Sequence, residues 1–282
     1  FIMRPSLNLD AVDALWSQTD AHKCTENERW LMGTNSIEGG VHSNVDTAHL
    51  RIVNGTKAPA GKFPYMISLQ YDGSHECGGT ILSEKWILTA AHCVYEEVAV
   101  AFSVLAGTVN LSTGGVRRSV KRYIIYEQYD PEDNYKNDIA LLELESALPL
   151  SQANNIQAVK LPQQDATTAA NKTATVMGWG HIYTGGPTSE VLLMVDLKTY
   201  SDEDCVRLLA GNSHPTNICA GVEGGGKGFC GGDSGGPLIV DGVQVGIVSW
   251  SVKPCASPPY PGIYTRVSSY TNWIENRTGL SF

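Results

Sequence analysis

The sequence predicts an all-β protein from Arg51 onward. Short apolar runs recur there and are separated by Gly, Pro, Asn and Asp, which is typical of strands joined by turns. With 282 residues, 42% of them hydrophobic and 17% charged, the chain can bury a sizeable core in one large domain or two small ones. The runs that carry this prediction are 63–69, 85–89, 118–126, 173–177, 192–197 and 243–250.

The two ends of the chain differ from this pattern. Residues 1–51 are polar and have little periodicity, which indicates a pro-region in front of the folded domain. At the other end, Ser268 is placed to cap a helix in which Tyr270, Trp273 and Ile274 share one face. We therefore expect one helix at the C-terminal end of a β domain.

Three separate segments bring a nucleophile, a base and an acid. Residues 232–237 read Gly-Asp-Ser-Gly-Gly-Pro, residues 89–93 read Thr-Ala-Ala-His-Cys, and residues 137–142 read Asn-Asp-Ile-Ala-Leu-Leu. A serine hydroxyl reacts near neutral pH only when an imidazole takes its proton and a carboxylate orients that imidazole. The combination predicts a hydrolase.

In the order His, Asp, Ser, these segments resemble the chymotrypsin/trypsin family of serine endopeptidases over about residues 52–282. The resemblance implies two six-stranded antiparallel β-barrels, with the active site between them and a C-terminal helix. The barrels would span about 52–163 and 164–282, and the crossover would fall near 161–165.

The resemblance also implies a role for each reactive residue. Ser234 would be the nucleophile, His92 the general base, and Asp138 the carboxylate that orients His92, with a further hydrogen bond from Ser249 to Asp138. The backbone N–H groups of Gly232 and Ser234 would form the oxyanion hole, because the glycines allow a sharp turn there.

Residues 51–55, Arg-Ile-Val-Asn-Gly, resemble the activation site of the family. Cleavage after Arg51 would free the α-amine of Ile52, and Asp233 would receive it as a buried partner. The full chain is therefore expected to be a zymogen that requires an activating protease with Arg specificity.

The resemblance also implies which residues form the substrate pocket, and none of them is a carboxylate. They are Gly228, Phe229, Ser249, Trp250, Ser251 and Gly262. Trypsin-like members carry Asp where this chain has Gly228, so a substrate Arg or Lys would be buried without a counter-ion. Phe229 and Ser251 replace smaller residues and would narrow the pocket. We expect an apolar residue before the cut bond (P1), as in chymotrypsin- or elastase-like enzymes.

Six of the seven cysteines match three disulfides of the family: Cys77 with Cys93, Cys205 with Cys219, and Cys230 with Cys255. Cys24 is left over, either as a free thiol or as an intermolecular link. The bridges indicate an oxidising compartment, hence secretion. Four Asn-X-Ser/Thr sequons fit an exported glycoprotein. They begin at Asn54, Asn110, Asn171 and Asn276.

Composition and motifs exclude several other classes. The formal net charge of -9 provides no basic face for nucleic acid, and no apolar stretch approaches a membrane span. Residues 110–118, where the family binds calcium, contain no acidic residue, and no zinc spacing occurs. We expect no metal, no cofactor, and a monomer whose partners are protein or peptide substrates, an activating protease and protein inhibitors.

Two other functions compete with this interpretation. A catalytically silent protease homologue that acts as a binding or regulatory protein would keep the same fold, with an obstruction such as Phe229 closing the pocket. An esterase or lipase would place its nucleophile on a strand-to-helix elbow, with the histidine last in the chain. The order His92, Asp138, Ser234 opposes that second alternative.

Overall fold

A computed structural model describes residues 52–282. The predicted pro-region 1–51, with Cys24 and Arg51, lies outside the described residues. The first strands are β1 (Thr56–Lys57), β2 (Met66–Tyr71), β3 (Ser74–Ile81), β4 (Trp86–Thr89), β5 (Phe102–Ala106), β6 (Val116–Ile125) and β7 (Ala140–Leu144). Strands β2 to β7 close into an antiparallel barrel in the order β2-β3-β4-β7-β6-β5.

A second antiparallel barrel follows along the chain. Its strands are β8 (Thr173–Gly178), β9 (Leu193–Thr199), β10 (Asn217–Gly221), β11 (Pro237–Val240), β12 (Val243–Trp250) and β13 (Gly262–Arg266). They are paired in the order β9-β10-β13-β12-β11-β8, and the pairing of β8 with β9 closes the ring. Strand β1 adds to the outside of β9. The predicted all-β fold with two six-stranded barrels is confirmed.

Two α-helices accompany the barrels in the described part of the chain: α1 (Asp202–Leu208) and α2 (Thr271–Thr278). Helix α2 is the predicted C-terminal helix, but Ser268 does not cap it, because Ser268 lies in a preceding 3-10 turn, Val267–Ser269. Helix α1 was not predicted. Its signal is local: the hydroxyl of Ser201 accepts a hydrogen bond from the N–H of Asp204, three residues on. Neither helix is long and apolar enough to cross a membrane.

The barrel interiors are filled by alternate apolar side chains of the strands. Ile67, Leu69 and Leu141 are fully buried in the first barrel, and Val176 and Val248 are fully buried in the second. Burial of each such side chain contributes about 1.5–3 kcal/mol to folding. The core of the first barrel continues into residues of the second half, so the two barrels pack against each other.

Glycines allow the chain segments to approach closely where the barrels meet. A Cβ added to Gly78 of β3 would lie 2.9 Å from the Cα of Gly236, beside the loop of Ser234. In the same place the N–H of Gly78 donates to the carbonyl oxygen of Ser234 at 2.7 Å. This contact fixes the Ser234 loop of the second barrel against the first barrel, which carries His92.

Candidate active site

His92 lies in a 3-10 turn, Ala91–Cys93, at the end of β4. A disulfide between Cys77 of β3 and Cys93 holds this turn to the barrel. The backbone of the turn is therefore fixed on both sides of the imidazole.

Asp138 is fully buried just before β7 and faces His92. One carboxylate oxygen accepts a hydrogen bond from His92 Nδ1 at 2.7 Å and another from Ser249 Oγ at 2.6 Å. The other oxygen accepts from the backbone N–H of His92 at 2.9 Å. With three donors the buried carboxylate is well satisfied, and Nδ1 is fixed as the protonated nitrogen, which leaves Nε2 as a proton acceptor.

Two opposing effects act on the pKa of His92. Burial lowers the pKa, while the charge of Asp138 and its hydrogen bond raise it, and the net result is a pKa above the usual 6.5. A base whose pKa lies near the working pH is suited to take up and return a proton.

Ser234 lies in a sharp turn between Gly232, with φ +85°, and Gly235, with φ +76°. A Cβ at Gly235 would collide with the hydroxyl of Thr89, so this turn requires glycine there. Ser234 and His92 line one cavity of about 350 Å³. Within residues 52–282 no hydrogen bond joins the side chains of Ser234 and His92. Such bonds often tighten only when substrate is bound.

The backbone N–H groups of Gly232 and Ser234 have no acceptor among the residues that the structure describes. The Gly232 carbonyl is held from behind, because it accepts a hydrogen bond from His75 Nε2 at 2.9 Å, while His75 Nδ1 bonds Ser68 Oγ at 2.8 Å. Burial lowers the pKa of His75, partly offset by this bond to Gly232, so the ring is neutral at pH 7. The arrangement presents two free donors to a bound carbonyl oxygen.

Sequence reasoning missed His75. Nothing next to it in the chain points to Gly232, which lies 157 residues further on, so only the folded structure shows this contact.

Asp233 is fully buried beside Ser234. Its oxygens accept hydrogen bonds from the N–H groups of Gly180 at 2.8 Å and Cys230 at 2.9 Å. Burial raises its pKa to about 7 despite these two bonds. No cation among residues 52–282 lies within ion-pair distance of it. A cation placed beside Asp233 would therefore stabilise its charged form.

Ile52 is fully buried in the apolar cluster of the second barrel, which also contains Tyr264. The pKa of the Tyr264 hydroxyl is raised well above its usual value, by burial first and then by the charge of Asp233. The chain next to Ile52 is fixed by a bridge between Val53 and Gly228. The beginning of the domain is thus held within the second barrel.

The predicted substrate pocket is almost filled. Its remaining volume is about 10 Å³, close to that of a single water molecule. The Phe229 ring occupies the space: it packs edge-on against Tyr264 at 5.2 Å between centroids, and a Cβ at Gly262 would collide with it. Gly228 and Ser251 also line the pocket.

Ser249 and Trp250, the other two residues predicted for the pocket wall, do not line this remaining space. The hydroxyl of Ser249 donates to Asp138, the hydrogen bond that was predicted for it. Trp250 packs against the cluster around the Cys205–Cys219 disulfide. Lys227 and Tyr264 also line the pocket and were not predicted from the sequence.

The three expected cysteine pairs are joined in the structure: Cys77–Cys93, Cys205–Cys219 and Cys230–Cys255. His92 lies close to the first pair, but sulfurs bonded to each other are not thiolates and do not ligate a metal. The third disulfide fixes the Ser234 loop to the segment after β12.

Comparison with known proteins gives consistent matches. Residues 52–274 match the protein family described as Trypsin. Trypsin of Phaedon cochleariae is 40% identical over 236 residues, which cover 82% of this chain and 90% of that protein. Trypsin zeta of Drosophila erecta is 41% identical over 248 residues, covering 82% and 86%. Human heparin binding protein superposes with a TM-score of 0.72 at 30% identity, covering 82% of this chain and 98% of that one.

Proposed function

Because the chain belongs to the trypsin family of serine endopeptidases, we propose that it is a secreted protease precursor that cuts peptide bonds through an acyl-enzyme on Ser234. Activation would follow cleavage after Arg51, and the P1 residue would be apolar. The observation that carries the proposal is the buried Asp138 bonded to both His92 and Ser249.

In this mechanism Ser234 Oγ attacks the substrate carbonyl carbon while His92 Nε2 takes its proton. Asp138 holds the imidazole in the required tautomer and stabilises the imidazolium. The N–H groups of Gly232 and Ser234 donate to the oxyanion, where the loss of one donor typically costs about 3 kcal/mol of barrier. His92 then protonates the leaving amine, and water releases the acyl group by the same steps in reverse.

Membership in the family does not favour the silent-homologue alternative. The structure keeps the orienting carboxylate, the base and the free backbone donors together. The narrow pocket near Phe229 restricts the P1 side chain but leaves the cavity that joins Ser234 to His92 open.

The environment of Asp233 supports activation by cleavage. Residues 1–51 would act as the pro-region, and a cut after Arg51 would place an ammonium on Ile52, whose side chain is already buried in the second barrel. Pairing that ammonium with Asp233 would relieve the cost of a buried carboxylate whose pKa is raised to about 7. The three disulfides fit an extracellular protein, which supports secretion.

The pocket supports an apolar P1 residue at the small, elastase-like end of the range. No carboxylate lines the pocket within the described residues, so Arg and Lys would lack a counter-ion. The Phe229 ring leaves about 10 Å³, which suits Ala better than Leu or Phe.

The test is a peptide panel that differs only at P1. The chain would be cut after Arg51 and assayed with Ala, Leu, Phe and Arg at P1, with Ser234→Ala as the inactive control. We expect the fastest hydrolysis with Ala, slower hydrolysis with Leu and Phe, and none with the control. Fastest cleavage after Arg would contradict the proposed specificity, and full activity of Ser234→Ala would contradict the mechanism.

A further inference from the structure

The cavity that joins Ser234 to His92 has a composition that the reaction alone does not require. We call it the leaving-side cavity. Its lining includes Ser234, His92, Tyr71, Glu76, Glu97 and Phe102, and it shares no lining residue with the Phe229 pocket.

Its position identifies which half of the substrate it receives. His92 must reach the leaving amine to protonate it, so the peptide that follows the cut bond passes on the side of His92. The acyl half is held at the Phe229 pocket, which lies apart from this cavity. An extended peptide advances about 3.3 Å per residue, so the first three leaving residues span about 10 Å beyond the cut bond.

The lining carries one aromatic face and two carboxylates. The aromatic face is the half-buried Tyr71 ring, which packs edge-on at 5.0 Å against the buried Phe102. Glu76 and Glu97 are exposed carboxylates. The Glu97 side chain lines the cavity together with Tyr71, and hydrogen bonding to Glu97 raises the pKa of the Tyr71 hydroxyl.

Neither carboxylate is neutralised by the described residues. Within 52–282, no Lys or Arg lies within ion-pair distance of Glu76 or Glu97, and His92 is the one basic residue that lines the cavity. A long side chain with an apolar stem and a cationic end matches this lining, because the stem can cover the Tyr71 ring while the charge reaches Glu76 and Glu97.

We propose that the leaving-side cavity selects substrates with Lys or Arg among the first three residues after the cut bond. This inference rests on the proposed acyl-enzyme mechanism. Exposed charge pairs each change affinity only a few-fold. Two carboxylates acting on one cation therefore predict a preference of roughly tenfold over Gln, and Glu at the same position should be cut more slowly than Gln.

The experiment uses the full chain after cleavage at Arg51, with active enzyme counted by titration of Ser234. Internally quenched peptides would share one acyl half ending in Ala, and each of the first three leaving residues would be Lys, Arg, Gln or Glu in turn. We expect the ratio of kcat/KM for Lys over Gln to reach about ten at one position and to fall as NaCl rises from about 0.05 to 0.5 M, because salt screens exposed charges.

The test variant combines Glu76→Gln and Glu97→Gln in one chain, and the control variant is Glu84→Gln. Glu84 is an exposed carboxylate that lines neither the leaving-side cavity nor the Phe229 pocket. Its replacement removes one negative charge, as each of the two other substitutions does. The Lys over Gln ratio should fall below three in the double variant and stay near ten in Glu84→Gln.

A ratio below three in the parent enzyme, or an equal fall in the control, would overturn this inference while peptide hydrolysis itself continued. Absence of hydrolysis with every peptide, together with unreactive Ser234, would instead refute the acyl-enzyme proposal on which the inference depends.

Discussion

Replacing Phe229 with Ser should open the pocket to large P1 side chains. The ring is 5% exposed and leaves about 10 Å³, so it restricts a P1 Leu or Phe in the parent enzyme. With the ring removed, burial of a Leu or Phe side chain would contribute about 1.5–3 kcal/mol. That energy corresponds to an increase of about 10- to 150-fold in kcat/KM relative to Ala.

The same substitution should also destabilise the domain, because removing a buried Phe typically costs about 3–5 kcal/mol. Phe63→Ser, at a half-buried Phe outside the pocket, controls for general loosening of the fold. The assay is kcat/KM with nitroanilide peptides that have Ala, Leu or Phe at P1, together with thermal unfolding. An unchanged Leu to Ala ratio in a folded Phe229→Ser enzyme would refute the reasoning.

A double-mutant cycle with Gly262→Ala tests the contact itself. A Cβ at Gly262 collides with the Phe229 ring, so Gly262→Ala should be costly in the parent and nearly neutral in Phe229→Ser. Equal costs in both backgrounds would show that the ring does not occupy this place.

Three further predictions concern the catalytic machinery. Ser249→Ala removes one donor to buried Asp138 and should lower kcat about 10- to 100-fold with little change in KM, as measured by steady-state kinetics. Activity should rise with pH as His92 loses its proton, through a pKa above 6.5, and Asp138→Asn should shift this rise to lower pH. The pairing of protonated His92 with Asp138 stabilises the fold below about pH 6.5, and this stability is lost as the pH rises through the folded-state pKa of His92. Arg51→Gln should block activation by trypsin-like proteases, and normal activation of this variant would contradict the assigned cut. The parent enzyme, once cut after Arg51, should lose activity in alkaline solution as the new α-amine of Ile52 deprotonates, and a flat alkaline pH profile would contradict this role of the amine.

Motifs were sufficient to propose the catalytic residues from the sequence, whereas contacts between distant segments could not be predicted from it. Asp138 and Ser234 lie in sequences whose local form, a carboxylate before a buried strand and a serine between glycines, already indicates chemistry. The contact of His75 with Gly232 and the direction of the Phe229 ring depend on which strands become neighbours and on side-chain rotamers. Neither is encoded in a short window of sequence.

The fold likewise combines strands that were predictable from local sequence with long-range pairings that were not. The pattern of short apolar runs predicted the strands. Strand β2 begins at Met66 rather than at Phe63, because residues 63–65 lead into the barrel and are not part of the strand. The closure of each barrel by β8 with β9 and by β2 with β5 is a long-range pairing, and it followed from the family resemblance rather than from the runs themselves.

Reaction of Ser234 with an organophosphorus reagent tests the central claim most directly. Peptide mapping by mass spectrometry should show one label per chain, on Ser234, after cleavage at Arg51, and almost none in the uncut chain or in His92→Ala. Labelling that is absent after the cut, that falls on another serine, or that is undiminished in His92→Ala would contradict the account.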